Sequence, residues 1–328
     1  MFAAHLLGKT NWTVSDVCDK TFIAMKTSLL SYALTLTVLI SVLWSCFDHR
    51  TAVVPPGSTT VRLRVKTITQ ETPNNLNKVS AFTYDGQGRL SVIIAYQTPD
   101  STVAPVENTV YLYDAQNRLT QVQRTVVRRG STSETYTYSY NGIGQVSQLA
   151  HSPSTFNILP TYTGSNQASG YSKTISVGGL NATGGGSFTF TAGNLTASSE
   201  NFRVNRLGGS PTAPPVFDRS IVTNYTFDDK LNPFYGVFII PAPGVFGPSP
   251  VSGSFGPYYT YYGGIDNLFN LSRNNVLSSV TTGFTSSGPV SLTTSYEYEY
   301  NAENLPTLRK TTTNGSLVET LRFAYESY

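Results

Sequence analysis

A short unit that recurs along the chain constrains its fold more than any other feature of the sequence. In each copy an alternating segment ends in aromatic-x-aromatic and is followed at once by Asp or Asn, with Gly or Asn three residues later. The copies span residues 82–90, 111–119, 138–146 and 298–305. This spacing predicts a strand that ends in a tight turn, repeated along the chain.

The turn chemistry of the unit supports that prediction. Asp and Asn side chains bond the backbone two residues further on, and Gly and Asn adopt the left-handed backbone that a hairpin turn requires. Alternation such as Tyr136, Tyr138 and Tyr140 around Thr137 and Ser139 has the period of two typical of a half-buried strand. We therefore predict Asx turns at Asp85, Asp114, Asn141 and Asn301, with positive φ at Gly88, Asn117, Gly144 and Asn304.

The composition agrees with an all-β chain. It contains 21 Tyr and 17 Phe beside abundant Thr, Ser, Val and Gly, residues that favour strands and turns. The expected fold is an antiparallel meander of hairpins that forms a curved sheet or barrel-like structure, preceded by an N-terminal signal helix. A net charge of +3 without a basic stripe argues against nucleic acid as a partner.

The amino-terminal region has the pattern of a secretory signal peptide. The apolar segment 29–42 is shorter than the ~20 residues that a membrane-spanning helix needs. It leads to Leu43-Trp44-Ser45-Cys46, which resembles a bacterial lipobox with Cys46 as the acylated residue. Asp16 and Asp19 do not suit a positive leader, so we expect translation to begin at Met25.

These features predict the domain organisation and the location of the protein. Residues 1–45 are expected to be the signal peptide, 46–60 a lipidated tether, and 61–328 a single β-rich domain. A Gly/Pro-rich loop is expected at about 232–264. The predicted location is the outer membrane, attached through lipid, with the domain facing the periplasm or the cell surface.

Strands near the two ends of the chain carry opposite charges. Arg62, Arg64 and Lys66 alternate with aliphatic residues, and Glu297 and Glu299 alternate with tyrosines. Two separately solvated faces are the simpler interpretation, and cross-strand ion pairs in a curled sheet are the alternative.

Two resemblances follow from these motifs. The aromatic-x-Tyr-Asp units at 82–90 and 111–119 resemble the hairpin repeats of Rhs and YD-repeat proteins. Beyond the leader, the chain is similar to uncharacterised Bacteroidota lipoproteins, a domain of unknown function with a porin-like fold. That similarity rests on Tyr225–Phe234, Asn274–Val276 and Tyr298–Thr307. It implies a curved antiparallel sheet or barrel-like meander, and it implies no activity.

Residues that carry catalytic chemistry are sparse. The chain has 3 His and 2 Cys, too scattered for a triad or a metal cluster, so we expect no cofactor and no metal. Glu297 and Glu299 lie roughly 7 Å apart on one strand face, within the range of an inverting glycosidase. Alternating Glu is more typical of a solvated face, and the sequence predicts no enzyme.

Several functions remain open at this point. The first is a non-enzymatic structural or assembly protein of the envelope. The alternative is a glycan- or peptide-binding surface module, in which Tyr258, Tyr259, Tyr261 and Tyr262 contact the ligand. An integral outer-membrane β-barrel and a glycoside hydrolase are less favoured. The expected partners are a membrane, through the lipid, and a glycan or an envelope protein.

Overall fold

The protein folds into a closed barrel of 16 antiparallel strands. The computed structural model describes residues 62–71, 77–99, 106–127, 132–152, 155–164, 167–209, 213–235 and 268–328. The strands are β1 (Leu63–Glu71), β2 (Asn77–Tyr84), β3 (Leu90–Thr98), β4 (Val106–Tyr113), β5 (Leu119–Val127), β6 (Thr132–Tyr140), β7 (Val146–Ser152), β8 (Thr155–Tyr162), β9 (Ala168–Val177), β10 (Leu180–Thr191), β11 (Asn194–Arg206), β12 (Phe217–Leu231), β13 (Asn274–Thr285), β14 (Gly288–Tyr300), β15 (Pro306–Thr313) and β16 (Ser316–Ser327).

The order of the strands is the simplest that a barrel can have. Each strand pairs with the next along the chain, and β1 pairs with β16 to close the sheet. Arg64 on β1 bonds Glu326 on β16 at 2.8 Å across this closure. The predicted all-β meander is therefore confirmed, and it closes fully. The expected signal helix lies outside the described residues.

All four predicted Asx turns are present. In the first, the Asp85 Oδ1 atom accepts hydrogen bonds from the backbone N–H groups of Gln87 and Arg89, both at 2.9 Å. The same pair of bonds forms at Asp114, Asn141 and Asn301. The left-handed residues are Gly88, Asn117, Gly144 and Asn304, with φ of 78°, 64°, 85° and 60°.

These turns lie at one rim of the barrel. Because neighbouring strands run in opposite directions, every second connection falls at the same end, and all four predicted turns are connections of this set. The long connection between β12 and β13 belongs to the same set. We call this end the Asx rim, defined by residues 85–89, 114–118, 141–145 and 301–305.

A second interaction repeats along the Asx rim. The last tyrosine of an even-numbered strand donates its hydroxyl to a backbone carbonyl near the start of the preceding strand, as Tyr113 does to Leu90 at 2.8 Å. In three of the five copies an arginine precedes that carbonyl and packs on the same ring, as Arg89 does on Tyr113. We call this arrangement the tyrosine latch. Its hydroxyl bonds are Tyr84 to Val65, Tyr113 to Leu90, Tyr140 to Leu119, Tyr162 to Val146 and Tyr325 to Pro306.

The inner face of β1–β8 holds most of the apolar core. Its largest contributors are at most 1 % exposed: Ile68, Ile93, Val122, Tyr136, Leu149 and Ile158. The residues that follow β12 also enter this core, since the rings of Phe234 and Phe82 have centroids 5.9 Å apart. In the described part of the chain the one helical segment is a 3-10 turn at Phe269–Leu271. None of the helical structure described is long and apolar enough to span a bilayer.

Candidate functional site: a cavity in the barrel interior

Glycines on β10 allow aromatic rings of the two neighbouring strands to lie against its backbone. Gly186 lies opposite Tyr171 of β9, and Gly184 lies opposite Phe202 of β11. A Cβ atom at Gly186 would lie 2.8 Å from the Tyr171 ring, and one at Gly184 would lie 2.8 Å from the Phe202 ring. Because Gly184 and Gly186 have no side chains, the two rings can lie across the backbone of β10.

A cavity of about 540 Å³ follows this wall along β9–β14. That volume falls in the range of small-molecule pockets, roughly 300–1,000 Å³. Its lining contains aromatic, hydroxyl and charged side chains, and Leu292 at its edge is 38 % exposed. The aromatic members are Tyr171, Phe188, Phe217, Tyr225, Phe269 and Tyr296, and the hydroxyl members are Ser198, Ser199, Thr223, Ser279, Thr281, Thr285 and Thr294.

The residues around the 3-10 turn bound the cavity toward the Asx rim. Leu268 and Phe269 belong to its lining. The Phe269 ring meets those of Tyr225 and Tyr296 edge to face, with centroids 6.1 Å and 5.2 Å away. Asn232, just after β12, fixes this turn by donating its side-chain amide to the carbonyls of Phe269 at 2.8 Å and Ser272 at 3.1 Å.

Hydroxyl groups on the cavity wall are arranged in cross-strand pairs. Thr223 and Thr281 are 2.8 Å apart between their Oγ1 atoms, and the Ser198 hydroxyl lies 2.9 Å from that of Tyr225. Each hydroxyl carries one donor and two acceptor sites, so a pair that shares one hydrogen bond keeps further capacity for a ligand. The wall therefore offers polar contacts beside aromatic surface.

Three ionisable side chains are buried on the inner faces of β9, β11 and β12. Lys173 is 2 % exposed, and its Nζ lies 4.4 Å from the ring centroid of Phe202. Arg219 Nη2 lies 3.2 Å from Glu200 Oε2, and these two side chains are 11 % and 9 % exposed. Glu200 Oε1 and Arg219 Nε make no hydrogen bond to any described residue. We call these three residues the charged cluster.

Burial shifts the proton affinities of the charged cluster. Burial raises the pKa of the Glu200 carboxyl, against the opposing effect of Lys173 and Arg219. Burial lowers the pKa of Lys173 to about 8, although the charge of Glu200 acts the other way. Both shifts follow from the cost of holding a charge away from water.

Of the residues that the sequence marked as candidates, those that the structure describes do not line this cavity. Cys46 and the tyrosines Tyr258, Tyr259, Tyr261 and Tyr262 lie outside the described residues. Glu297 and Glu299 are exposed on the outer face of β14, while Tyr296 on the same strand points into the cavity. Within the described ranges, no group of three His, Cys, Asp or Glu side chains is placed to hold a metal.

Sequence analysis missed the charged cluster, although a signal for it was present. Lys173 stands between Tyr171 and Ile175 at inward positions of β9, and Glu200 stands two residues before Phe202 on β11. A charge that interrupts an apolar alternation marks a buried ionisable group. Recognising the cluster also required the neighbouring strands, because its members lie far apart in sequence.

Comparison with known proteins gives structural neighbours only. No protein-family model and no curated protein matches the sequence. A porin-like protein from Bacteroides vulgatus is 13% identical, with a TM-score of 0.45 over 81% of this chain and 99% of that one. Another from Bacteroides uniformis is 14% identical, with a TM-score of 0.46 over 80% and 96%. A TcdB2-TccC3-Cdc42 structure is 12% identical, with a TM-score of 0.26 over 80% of this chain and 15% of that one.

Proposed function

We propose that this chain is a cell-envelope binding protein whose barrel takes a small carbohydrate into the cavity along β9–β14. The observation that carries the proposal is the lining itself, in which aromatic rings and hydroxyl groups share one wall around about 540 Å³. The apolar face of a sugar ring packs on aromatic side chains, and its hydroxyls exchange hydrogen bonds with Ser and Thr.

The cavity favours a glycan over a peptide. An extended peptide presents backbone amides at fixed spacing, and sheet proteins commonly bind such a chain along an exposed strand edge. This barrel closes β1 on β16, so its described strands present no such edge. A compact ligand with many hydroxyls matches the wall better.

A purely structural or assembly role, the first interpretation from the sequence, predicts a barrel filled by its own side chains. The inner face of β1–β8 fits that description, with Ile93 and Leu149 at most 1 % exposed. The β9–β14 wall differs, because its side chains line a cavity of about 540 Å³. This contrast between the two halves supports binding.

We propose that the barrel stands in water, which its outer face supports, and that lipid at Cys46 of the lipobox-like segment 43–46 holds it to the membrane. A barrel embedded in lipid carries an apolar outward band, and charges there cost about 2–4 kcal/mol for Arg or Lys at the midplane. Here the outward positions of several strands are polar or charged: Thr135, Thr137, Ser139, Ser172, Thr174, Ser176, Glu297, Glu299 and Lys310. A lipid anchor predicts an acylated Cys46 at the amino terminus of the mature protein. Mass spectrometry of the mature protein tests this prediction.

We also propose that binding occurs without catalysis. An inverting or retaining glycosidase uses two carboxyl groups flanking one bond. Among the described residues that line the cavity, Glu200 is the single carboxylate. The pair that the sequence singled out, Glu297 and Glu299, faces away from it.

A glycan array tests the proposal. The mature protein, extracted in mild detergent, is compared with a variant that combines Tyr258→Ala, Tyr259→Ala, Tyr261→Ala and Tyr262→Ala. We expect both proteins to bind the same glycans, since the variant changes none of the described residues that line the cavity. Binding lost only in the variant would assign the site to those tyrosines, and an array without any binder would favour a structural role.

A further inference from the structure

Phe269 separates the large cavity from a second, smaller one. The second cavity, of about 30 Å³, lies among residues near the Asx rim, including Phe234 after β12 and Pro306 at the start of β15. Of the described residues that line either cavity, Phe269 alone lines both. Phe269 is therefore a partition, and the large cavity ends there on the side of the Asx rim.

Contacts of its backbone and of its ring hold the partition in place. The Phe269 carbonyl accepts a hydrogen bond from the Asn232 side chain at 2.8 Å. In the same turn the Ser272 hydroxyl accepts one from the Leu195 backbone N–H of β11 at 3.0 Å. The Phe269 ring meets two tyrosine rings of the cavity wall edge to face, a favoured geometry for aromatic pairs. These contacts fix the ring at the end of the cavity.

The other end of the large cavity reaches the rim opposite the Asx rim. Phe217 is the first residue of β12 and Thr285 the last of β13, which places both at that rim, and both line the cavity. Both are partly exposed, and Leu292, a lining residue of β14, is 38 % exposed. Solvent therefore reaches the cavity from this side, whereas Phe269 at the other end is 7 % exposed.

We propose that the cavity recognises the end of a glycan chain, which enters from the rim opposite the Asx rim and places its terminal sugar against Phe269. This inference rests on the proposed function. It makes Phe269 a specificity-determining residue, because its ring occupies the space that a group attached to the terminal sugar would need. Tyr225 and Tyr296, whose rings contact that of Phe269, offer aromatic surface to the terminal sugar. Ser279 and Thr294 lie level with Tyr225 on β13 and β14 and offer hydroxyl groups.

Recognition of a chain end is tested by presenting the same chain in two orientations. The probes are short linear oligosaccharides of glucose, mannose, galactose and xylose, each printed on an array through either of its ends. We expect the mature protein to bind its preferred chain at least about tenfold more strongly in one orientation, because only one free end fits against Phe269. Equal binding in the two orientations would overturn the inference and leave the proposed function standing. No binding to any printed sugar would overturn both.

A benzyl group on the recognised end of the preferred chain tests the role of Phe269 itself. Because the partition blocks the space beyond the terminal sugar, we expect this group to lower the affinity of the native protein at least about tenfold. Phe269→Ala removes a ring of the same size as the benzyl ring and joins the two cavities. We expect this variant to bind the benzylated and the free chain with affinities within about threefold of each other.

Phe234→Ala is the matched control. Phe234 is 4 % exposed and lines the second cavity without lining the large one, so the same change leaves the partition in place. We expect Phe234→Ala to discriminate against the benzylated chain as strongly as the native protein does. An equal loss of discrimination in Phe234→Ala and Phe269→Ala would overturn the role of Phe269.

Circular dichroism and thermal unfolding establish that each variant is folded before its affinities are compared. If Phe269→Ala does not fold, Phe269→Leu takes its place, because leucine keeps apolar packing at this buried position and removes the ring. We then expect discrimination against the benzylated chain to fall at least about threefold. A folded variant that lacks the ring and still rejects the benzylated chain as strongly as the native protein would overturn the inference.

Discussion

The guanidinium of Arg89 lies 4.3 Å from the ring centroid of Tyr113, whose hydroxyl donates to the carbonyl of Leu90, the residue after that arginine. The same relationship joins Arg64 to Tyr84 and Arg118 to Tyr140, at 4.2 Å and 4.6 Å. The Tyr and Arg of the recurring unit are therefore contacts between strands. At these three places they hold neighbouring strands together at the Asx rim.

Removing one latch hydroxyl should weaken the barrel. We expect Tyr113→Phe to lower the free energy of unfolding by about 1 kcal/mol, because the Leu90 carbonyl loses a part-buried hydrogen bond. Urea denaturation measures the change. Tyr96→Phe is the matched control, since Tyr96 is exposed at 37% and should change stability little. Equal stability of the two variants would rule out a stabilising latch.

The Asx turns that use Asp should make stability sensitive to acid. Burial alone would raise the pKa of Asp85, yet the hydrogen bonds from Arg89 and Gln87 hold it below its ordinary value. The stabilisation is present above the unfolded pKa of 3.8 and is lost as pH falls through the lower folded pKa. We expect Asp85→Asn to lose less stability than the native protein between about pH 6 and about pH 3, measured by urea midpoints. Asn141 shows that Asn can form the same turn. An unchanged acid sensitivity would contradict this role of Asp85.

Glycines on β10 should tolerate no side chain. A Cβ at Gly184 would lie 2.2 Å from the Asn201 carbonyl oxygen, so we expect Gly184→Ala to destabilise by about 1–3 kcal/mol. Gly142 has nothing within 4 Å, and Gly142→Ala should be neutral or slightly stabilising. Thermal unfolding of the two variants side by side measures this difference in stability. A Gly184→Ala protein as stable as Gly142→Ala would refute it.

Lys173 should make the stability of the barrel depend on pH in the alkaline range. Its pKa falls from 10.5 to about 8 on folding because of burial, with Glu200 and Arg219 as the charges that act on it. At pH values between these two pKa values the unfolded chain binds more protons than the folded one. The free energy of unfolding therefore rises with pH, because the buried Lys173 loses its charge. We expect a rising free energy of unfolding from about pH 7.5 to about pH 9.5, and a flatter profile in Lys173→Met. Parallel profiles would show that Lys173 does not titrate in this range.

The local sequence predicted the turns and strands well because their chemistry is local. Asp85 and Gly88 determine a turn within five residues, and the alternation of Tyr136, Tyr138 and Tyr140 predicted the strand β6.

Closure and the cavity could not be predicted in the same way. One alternative from the sequence was an ion pair between a cation of β1 and Glu297 or Glu299. Arg64 of β1 pairs instead with Glu326 of β16, where the barrel closes, and Glu297 lies opposite Lys310 on β15. Register also shifts between Val65 and Thr67, which breaks the simple alternation expected there. The local alternation indicates that Lys173 and Glu200 point inward, but which strands pair and which of these side chains meet depends on residues far apart in sequence.

The claim that a glycan binds inside the barrel is tested most directly by isothermal titration calorimetry. The measurement is the affinity of the glycan that binds best on the array for a protein whose cavity is blocked by a bulky side chain. Leu292→Trp adds bulk at the partly exposed edge of the cavity, and Leu159→Trp makes the same change on the outer face, where Leu159 is 48% exposed. The account predicts at least about a hundredfold loss of affinity in Leu292→Trp and native affinity in Leu159→Trp. Native affinity in Leu292→Trp would contradict a binding site inside the barrel.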